Sequence, residues 1–202
     1  MSYTKTEIAN LALSHLGTGV LITDFNSDPS TEGKAARTFY DLARKKVLRD
    51  SRWPFARKIS ALGEISSSPT IEWAKAYRYP ADCIDFRKIE SGARNDSRQT
   101  RVPFELSHDD QGKLILTDAA GAVGRYTANI ENTSLFDSDF VTGLSMILAH
   151  FMVPTLTKGD PFGMRKSTME LYMIFMGHAR ENAFNEEQRE EEPESEFVNV
   201  RL

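Results

Sequence analysis

The chain has 202 residues, 40% of them hydrophobic and 27% charged, with a net charge of −4. That length suits one domain, or one domain with a small inserted subdomain; the composition supplies a real core, and the modest negative charge argues against bulk attraction to a polyanion. A single cysteine, Cys83, excludes an intramolecular disulfide framework and a zinc pattern and fits a reducing compartment, the opening stretch is too polar for a signal peptide, and no run approaches the roughly 18 apolar residues of a membrane span.

Thr4-Lys5-Thr6-Glu7 is a capping-box pattern. It predicts a first helix with Ile8, Leu11, Ala12, His15 and Leu16 on one face, ended by Gly17 and Gly19. Asp28-Pro29 signals a second helix start, with Asp as cap and Pro at the first helical position. This helix is expected to run to about Asp50, roughly 33 Å at about 1.5 Å per residue. Its apolar face is Ala36, Phe39, Tyr40, Ala43, Val47 and Leu48; Lys34, Arg37, Arg44, Lys45, Lys46 and Arg49 ring the rest. Trp53-Pro54 is a hard stop, because a residue before proline is pushed out of the helical region.

The period then changes. Ile59, Ala61 and Leu62 read as a strand, Ser66 to Pro69 as a loop, Tyr79 to Asp82 as a turn and Cys83 to Ile89 as a strand. Ser91 to Arg101 is a polar loop. Phe104–Leu106 and Lys113–Leu116 flank His108-Asp109-Asp110-Gln111-Gly112, a hairpin signal. Ala119 to Gly124 reads as flexible and Arg125 to Ile130 as the last strand. Ser134 to Asp139 supplies caps for a third helix carrying Phe140, Leu144, Ile147, Leu148, Phe151 and Met152, with Pro154 bending or shortening its end. Asp160-Pro161 repeats the start signal of Asp28-Pro29. The fourth helix is expected from Pro161 to about Gln188, with Met164, Leu171, Tyr172, Phe175, Met176 and Ala179 on one side. Glu186 to Glu196 then carries seven Glu and one Arg, and the last residues read FVNVRL.

The architecture these elements predict is α+β: an antiparallel four-helix bundle (residues 1–54 and 132–188), a small antiparallel β region inserted between helices two and three (55–131), and an extended acidic C-terminal arm (189–202). Phe197, Val198 and Val200 in an otherwise polar arm suggest that it docks elsewhere.

No phosphate-binding loop, dinucleotide fingerprint or nucleophile elbow occurs. His15, His108, His150 and His178 are scattered one per element, and His15 and His150 read as interior histidines. His108-Asp109-Asp110 reads as a solvated turn rather than a metal site, and Cys83 as a buried, inert thiol. No catalytic, cofactor or metal residue is expected, and the chain does not read as an enzyme. The stretch 34–58 is the one candidate for nucleic-acid binding, through Arg44, Lys45, Lys46, Arg49, Arg52, Arg57 and Lys58. Those positions spread around the helix and lack helix-turn-helix spacing, so a solvated or subunit-facing helix is the favoured reading. A basic helix and an acidic tail in one chain also complement each other, and could meet between subunits.

Four stretches carry a resemblance: Ile8-Ala9-Asn10-Leu11-Ala12-Leu13-Ser14-His15-Leu16-Gly17, Ala35-Ala36-Arg37-Thr38-Phe39-Tyr40-Asp41-Leu42-Ala43-Arg44, Trp53-Pro54-Phe55-Ala56 and Tyr79-Pro80-Ala81-Asp82-Cys83. Together they resemble the tail tubular protein A family, the head-to-tail adaptors of short-tailed bacteriophages, over roughly residues 5–90. The stretch 91–125 and the tail depart from that pattern. The resemblance implies a homo-oligomeric ring, a dodecamer, that joins the portal protein to the tail nozzle protein in the virion and continues the channel through which genome DNA leaves. It implies a product of the bacterial host cytoplasm with no cofactor and no catalytic residues. Arg44, Lys45, Arg49, Trp53, Phe197, Val198 and Val200 are then the expected interface residues.

Overall fold

The computed structural model describes residues 3–65, 72–93, 100–160 and 163–186. Its helices are α1 (Lys5–His15), α2 (Thr31–Asp50), α3 (Ser138–Leu156) and α4 (Met164–Glu186). Between α2 and α3 come β1 (Arg57–Ala61), β2 (Lys75–Arg78), β3 (Cys83–Ile89), β4 (Glu105–Asp109), β5 (Gly112–Thr117) and β6 (Val123–Ala128). The strands form two three-stranded sheets, of order β1-β6-β3 and β2-β5-β4. The chain divides into one compact unit of Met1–Lys58, Ala81–Phe86 and Tyr126–Ala183 and a second of Ile59–Pro80, Arg87–Arg125 and Phe184–Leu202, the division falling within β1, β3 and β6.

Local chemistry sets the helix starts. The Thr4 hydroxyl accepts from Glu7 N at 3.2 Å and the Glu7 carboxylate accepts from Thr4 N at 2.7 Å, which closes the capping box. α2 starts later than Asp28-Pro29 predicts. Ser30 is its cap, accepting from Gly33 N at 3.0 Å. Asp28 instead accepts from Ser30 N at 2.9 Å and Thr23 N at 3.1 Å, building the turn ahead of the helix. Hydrogen bonds from the Ser30 hydroxyl first, then from Ser30 and Thr23 amides, hold its carboxyl down to about 2. A Cβ on Gly33 would sit 2.8 Å from Asp28 O, so only glycine admits this turn. Asp137 caps α3, accepting from Phe140 N at 2.6 Å, and Pro154 sits inside its last turns. Lys158 and Gly159, with φ of 52° and 108°, carry the chain away from α3. α4 likewise starts later than the second Asp-Pro signal predicts, at Met164 rather than Pro161; Asp160 still accepts from first-turn amides, Met164 N at 2.6 Å and Arg165 N at 3.1 Å, while Pro161 itself lies outside the described residues.

The expected four-helix bundle with one inserted β region is not what forms. Six strands make two separate sheets, and α1 and α2 hardly touch each other although both pack closely on α3. The reason lies in the connection between α1 and α2. Asn10 donates to Ile22 O at 3.0 Å and accepts from Ile22 N at 2.9 Å, and Thr6 Oγ1 accepts from Phe25 N at 3.1 Å. That loop is therefore bound to α1, and its Ile22 and Phe25 are buried in the core that a neighbouring helix would otherwise fill. Phe25 meets Tyr40 of α2 edge-on at 5.0 Å between centroids. α3 is the axis: Phe140, Val141, Leu144, Ile147, Leu148, Ala149, Met152 and Val153 are all buried. It is also the one described helix long and apolar enough to cross a bilayer, with a mean hydropathy of 1.4, and more than half of that window is buried within the fold.

α1 buries Ile8, Ala9, Ala12, Leu13 and Leu16, while Leu11, expected inside, is 40% exposed. Trp53 ends the α2 segment by turning into the core. Its Nε1 donates to Val47 O at 2.8 Å, and its ring meets Phe140 edge-on at 5.2 Å. Phe55 and Phe136 complete the aromatic cluster around Phe140.

In the second unit β5 is the central strand, antiparallel to β2 (Tyr77 opposite Ile115) and to β4 (Asp109 opposite Gly112). Gly112, at φ 134°, makes the β4–β5 turn. Leu114, Ile115, Leu116 and Thr117 are buried on both faces of the strand. Buried Tyr77 donates to Ala119 O at 2.7 Å and accepts from Ala122 N at 3.3 Å. The other sheet is also antiparallel: Glu90 N bonds to Val123 O at one end of β6, and Asn129 N to Asp82 O at the other. The region 119–124, expected to be flexible, already contains the start of β6.

Trp53→Ala removes an indole 3% exposed together with its hydrogen bond to Val47 O. It is expected to cost about 3–5 kcal/mol, read as a lower urea midpoint at unchanged slope.

Candidate functional site

Helix α2 is basic, but its cations do not share one fate. Arg37 is committed to backbone, donating to Phe25 O at 2.9 Å and Asp28 O at 2.7 Å. Arg44 is 2% exposed. Its guanidinium donates to Asn129 Oδ1 at 2.7 Å and Ile130 O at 2.6 Å, and it pairs with Asp41 and with Glu131, the latter at 3.6 Å. Lys46 pairs with Asp50 at 2.7 Å and lies 5.7 Å from the centroid of the Tyr172 ring.

What remains outside is ordered. Lys34, Thr38, Asp41, Leu42, Lys45 and Arg49 are exposed, and Arg52 follows just beyond the helix end. At about 100° per residue these helical positions occupy roughly a third of the helix circumference. The cations do scatter around the helix, as their spacing says; the burial of Arg44 and the side-on pairing of Arg37 and Lys46 leave Lys34, Lys45 and Arg49 as the aligned, exposed subset. Lys45 pairs with Asp41 at 2.6 Å; among the described residues Lys34, Arg49 and Arg52 have no ion pair. Leu42, 54% exposed, lies within this stripe.

A second surface lies on α4. Thr168, Tyr172, Met176 and Ala179 are its buried positions, at helical spacing. Tyr172 donates to Asp50 at 2.7 Å and Arg180 donates to Asp50 O at 2.7 Å, which ties α4 to the end of α2. Burial, and then the neighbouring Asp50 carboxylate, push the Tyr172 phenol far above its usual range. On the other faces Leu171, Met173 and Ile174 are 54%, 60% and 63% exposed. Leu171 was expected on the core side. It instead edges a shallow cleft of about 100 Å³ with His15, Met146, Met164, Ser167 and Thr168, small beside the roughly 300 Å³ of ordinary ligand pockets.

Of the interface residues expected from sequence, Lys45 and Arg49 are on the surface, whereas Arg44 and Trp53 are inside the protomer. Phe197, Val198 and Val200, with the whole arm 189–202, lie outside the described residues. His15, read as interior, is exposed at the end of α1 with Nε2 3.1 Å from Ser145 Oγ; His150 is half-buried, with Nδ1 3.0 Å from Arg165 O. Asp109 is engaged by Arg78 at 2.7 Å and accepts from Gln111 N. Among the described residues no group of three or more His, Cys, Asp or Glu side chains could hold a metal ion. Asp82 binds Lys58 at 2.6 Å and accepts from the buried Tyr126 hydroxyl at 3.0 Å, a brace that joins the turn before β3 to β1 and β6. The Lys58 ammonium holds the Asp82 carboxyl below its usual range.

Leu42, Met173 and Ile174 were missed. The stretch Leu171-Tyr172-Met173-Ile174-Phe175-Met176 is apolar at every position, so periodicity picks no face; that continuity is itself the signal that more than one face is to be covered. Compared with models of known protein families the chain matches none, and comparison with curated proteins gives no match either.

Arg44→Met leaves Asn129 Oδ1 and Ile130 O without their donor and is expected to cost on the order of 3–5 kcal/mol. Lys45→Ala and Arg49→Ala, both on the exposed stripe, are each expected to stay within about 0.5 kcal/mol. Urea denaturation of the three variants separates the buried cation from the surface ones.

Proposed function

We propose that this chain is a structural subunit of a phage head-to-tail adaptor. Copies of it form a ring, of twelve subunits by the family resemblance, that joins portal to nozzle in the virion and lets DNA pass without sequence-specific binding. The observation that carries the reading is α4. It is apolar on opposite faces, yet the fold of one protomer covers only the side of Tyr172, Met176 and Ala179 and leaves Leu171, Met173 and Ile174 more than half exposed. A helix built this way suits a subunit that meets further copies of itself, because an apolar face left in water forgoes about 25 cal/mol per Å² of burial. The four resemblance stretches support the same reading. Three of them contain structural devices: the Gly17 turn, the Trp53 stop and the Asp82 brace. Sedimentation velocity and negative-stain microscopy, on the protein alone and mixed with the portal protein of the same genome, test it. The expected result is a closed ring, alone or templated on the portal. A chain that stays monomeric in both conditions overturns the reading.

A second reading, a small DNA-binding protein acting through residues 34–58, is favoured by the alignment of Lys34, Lys45 and Arg49 on one side of α2, with exposed Arg52 just beyond its end. It expects duplex affinity that falls steeply with salt and is lost when Lys45 and Arg49 are neutralised, measured by fluorescence anisotropy. The absence of binding at low salt removes it.

A further inference from the structure

We infer that the exposed stripe of α2 is the docking surface for the acidic C-terminal segment, residues 187–202, of a second copy of this chain. The inference rests on the adaptor reading in requiring that copies meet. It adds which two surfaces meet.

Charge is the first argument. The stripe presents Lys34, Lys45, Arg49 and Arg52 with one acid, Asp41, among them. Residues 186–196 carry seven Glu and one Arg. An acidic run and a row of cations carrying one acid are complementary in sign, which favours their contact and disfavours a like-charged partner. The apolar content also matches. Leu42 lies in the stripe at 54% exposure, and Phe197, Val198 and Val200 follow the acidic run.

Reach is the second argument. Residues 187–202 can span roughly 50 Å when extended. The helical part of the stripe, from Lys34 to Arg49, is about 23 Å long at about 1.5 Å per residue.

Direction selects the second copy. Phe39 of α2 meets Phe151 of α3, and a Cβ on Gly143 would touch both Val47 of α2 and Met176 of α4. His150 of α3 meets Arg165 of α4. α2 and α4 therefore both run antiparallel to α3, and parallel to each other. Arg180 reaches Asp50, the last residue of α2, and α4 continues to Glu186 beyond it. The chain thus leaves α4 past the end of its own α2, pointing away from its own stripe. A segment starting from that end would have to reverse fully to lie along its own stripe, and this is what favours the stripe of a second copy.

Charge reversal in the full-length chain tests this. One variant carries Lys34→Glu, Lys45→Glu and Arg49→Glu; the other carries Glu190→Lys, Glu191→Lys and Glu192→Lys. Association is read by sedimentation velocity at low ionic strength, with thermal midpoints as the check on folding. Each variant alone is expected to lose at least tenfold in association relative to the wild type. An equimolar mixture of the two is expected to regain it, because each then carries the complement of the other. If the mixture fails to recover while a single chain carrying all six changes does, the segment folds onto its own α2 and the inference is wrong. If both variants assemble as the wild type does, the stripe is not the docking surface and the adaptor reading stands without it. If the wild type is monomeric both alone and with portal, both fall together. If stripe reversal abolishes binding to a 30-base-pair duplex while association is unchanged, the stripe belongs to nucleic acid and the inference is overturned.

Discussion

The fold depends on where one positive charge goes. Arg44 is buried to 2% exposure, and a guanidinium taken out of water costs several kcal/mol unless its donors are answered. They are answered by Asn129 Oδ1, Ile130 O and the carboxylates of Asp41 and Glu131. The fork geometry of arginine matters here, since a lysine at this position offers one point of attachment rather than a planar set of donors. Asn129 in turn gives its backbone N–H to Asp82 O, and the Asp82 carboxylate takes Lys58 and Tyr126. A single side chain on α2 thereby fixes the path into α3. Through Asn129 and Asp82 it also fixes the entries to β1 and β3.

The same interaction sets the outer surface. Once Arg44 points inward, with Tyr40, Ala43, Val47 and Leu48 beside it, the rotation of α2 about its axis is settled. Lys34, Leu42, Lys45 and Arg49 then face solvent by geometry alone, with no contact needed to hold them there. Core and surface of this helix are one decision, and the exposed stripe is its outward half.

What the sequence disclosed was what neighbouring residues decide. The Thr4–Glu7 capping box, the Asp137 cap, the end of α2 at Asp50, the strand Cys83–Ile89 and the turn at Gly112 are all set within a few positions, and each forms where the pattern places it. Partners far along the chain were invisible. Arg44 reads as a surface cation because its acceptors lie 85 and 86 residues away. The bundle expectation failed for a related reason. Ile22 and Phe25 look like loop residues, and nothing local says that Asn10 and Thr6 bind that loop back onto α1. The two surfaces were only half legible. Lys45 and Arg49 were named, but the stripe they belong to appears only once Arg37, Arg44 and Lys46 are subtracted. On α4 the unbroken apolar stretch concealed which side chains point outward.

The two exposed surfaces differ in what they can contribute to assembly. Leu171, Met173 and Ile174 offer apolar area, whose burial is favourable but non-directional, so it supplies affinity without fixing orientation. The stripe of α2 offers charge, which is screened over about 8 Å at physiological ionic strength and contributes modestly per pair. It discriminates strongly, however, between complementary and like-charged neighbours. A ring needs both properties, since each copy must adhere to its neighbour and must do so head-to-tail at one angle, or the assembly runs on as a filament instead of closing. On the proposed docking, the acidic segment of one copy on the stripe of the next would give the contact a direction, because it would start from one end of a protomer and end on the side of another. Separating adhesion from orientation in this way leaves the protomer free to fold before it meets a partner. The buried Arg44 network is complete within one chain: Asn129, Ile130, Asp41 and Glu131 all belong to the same protomer, and no second copy is needed to hold it together.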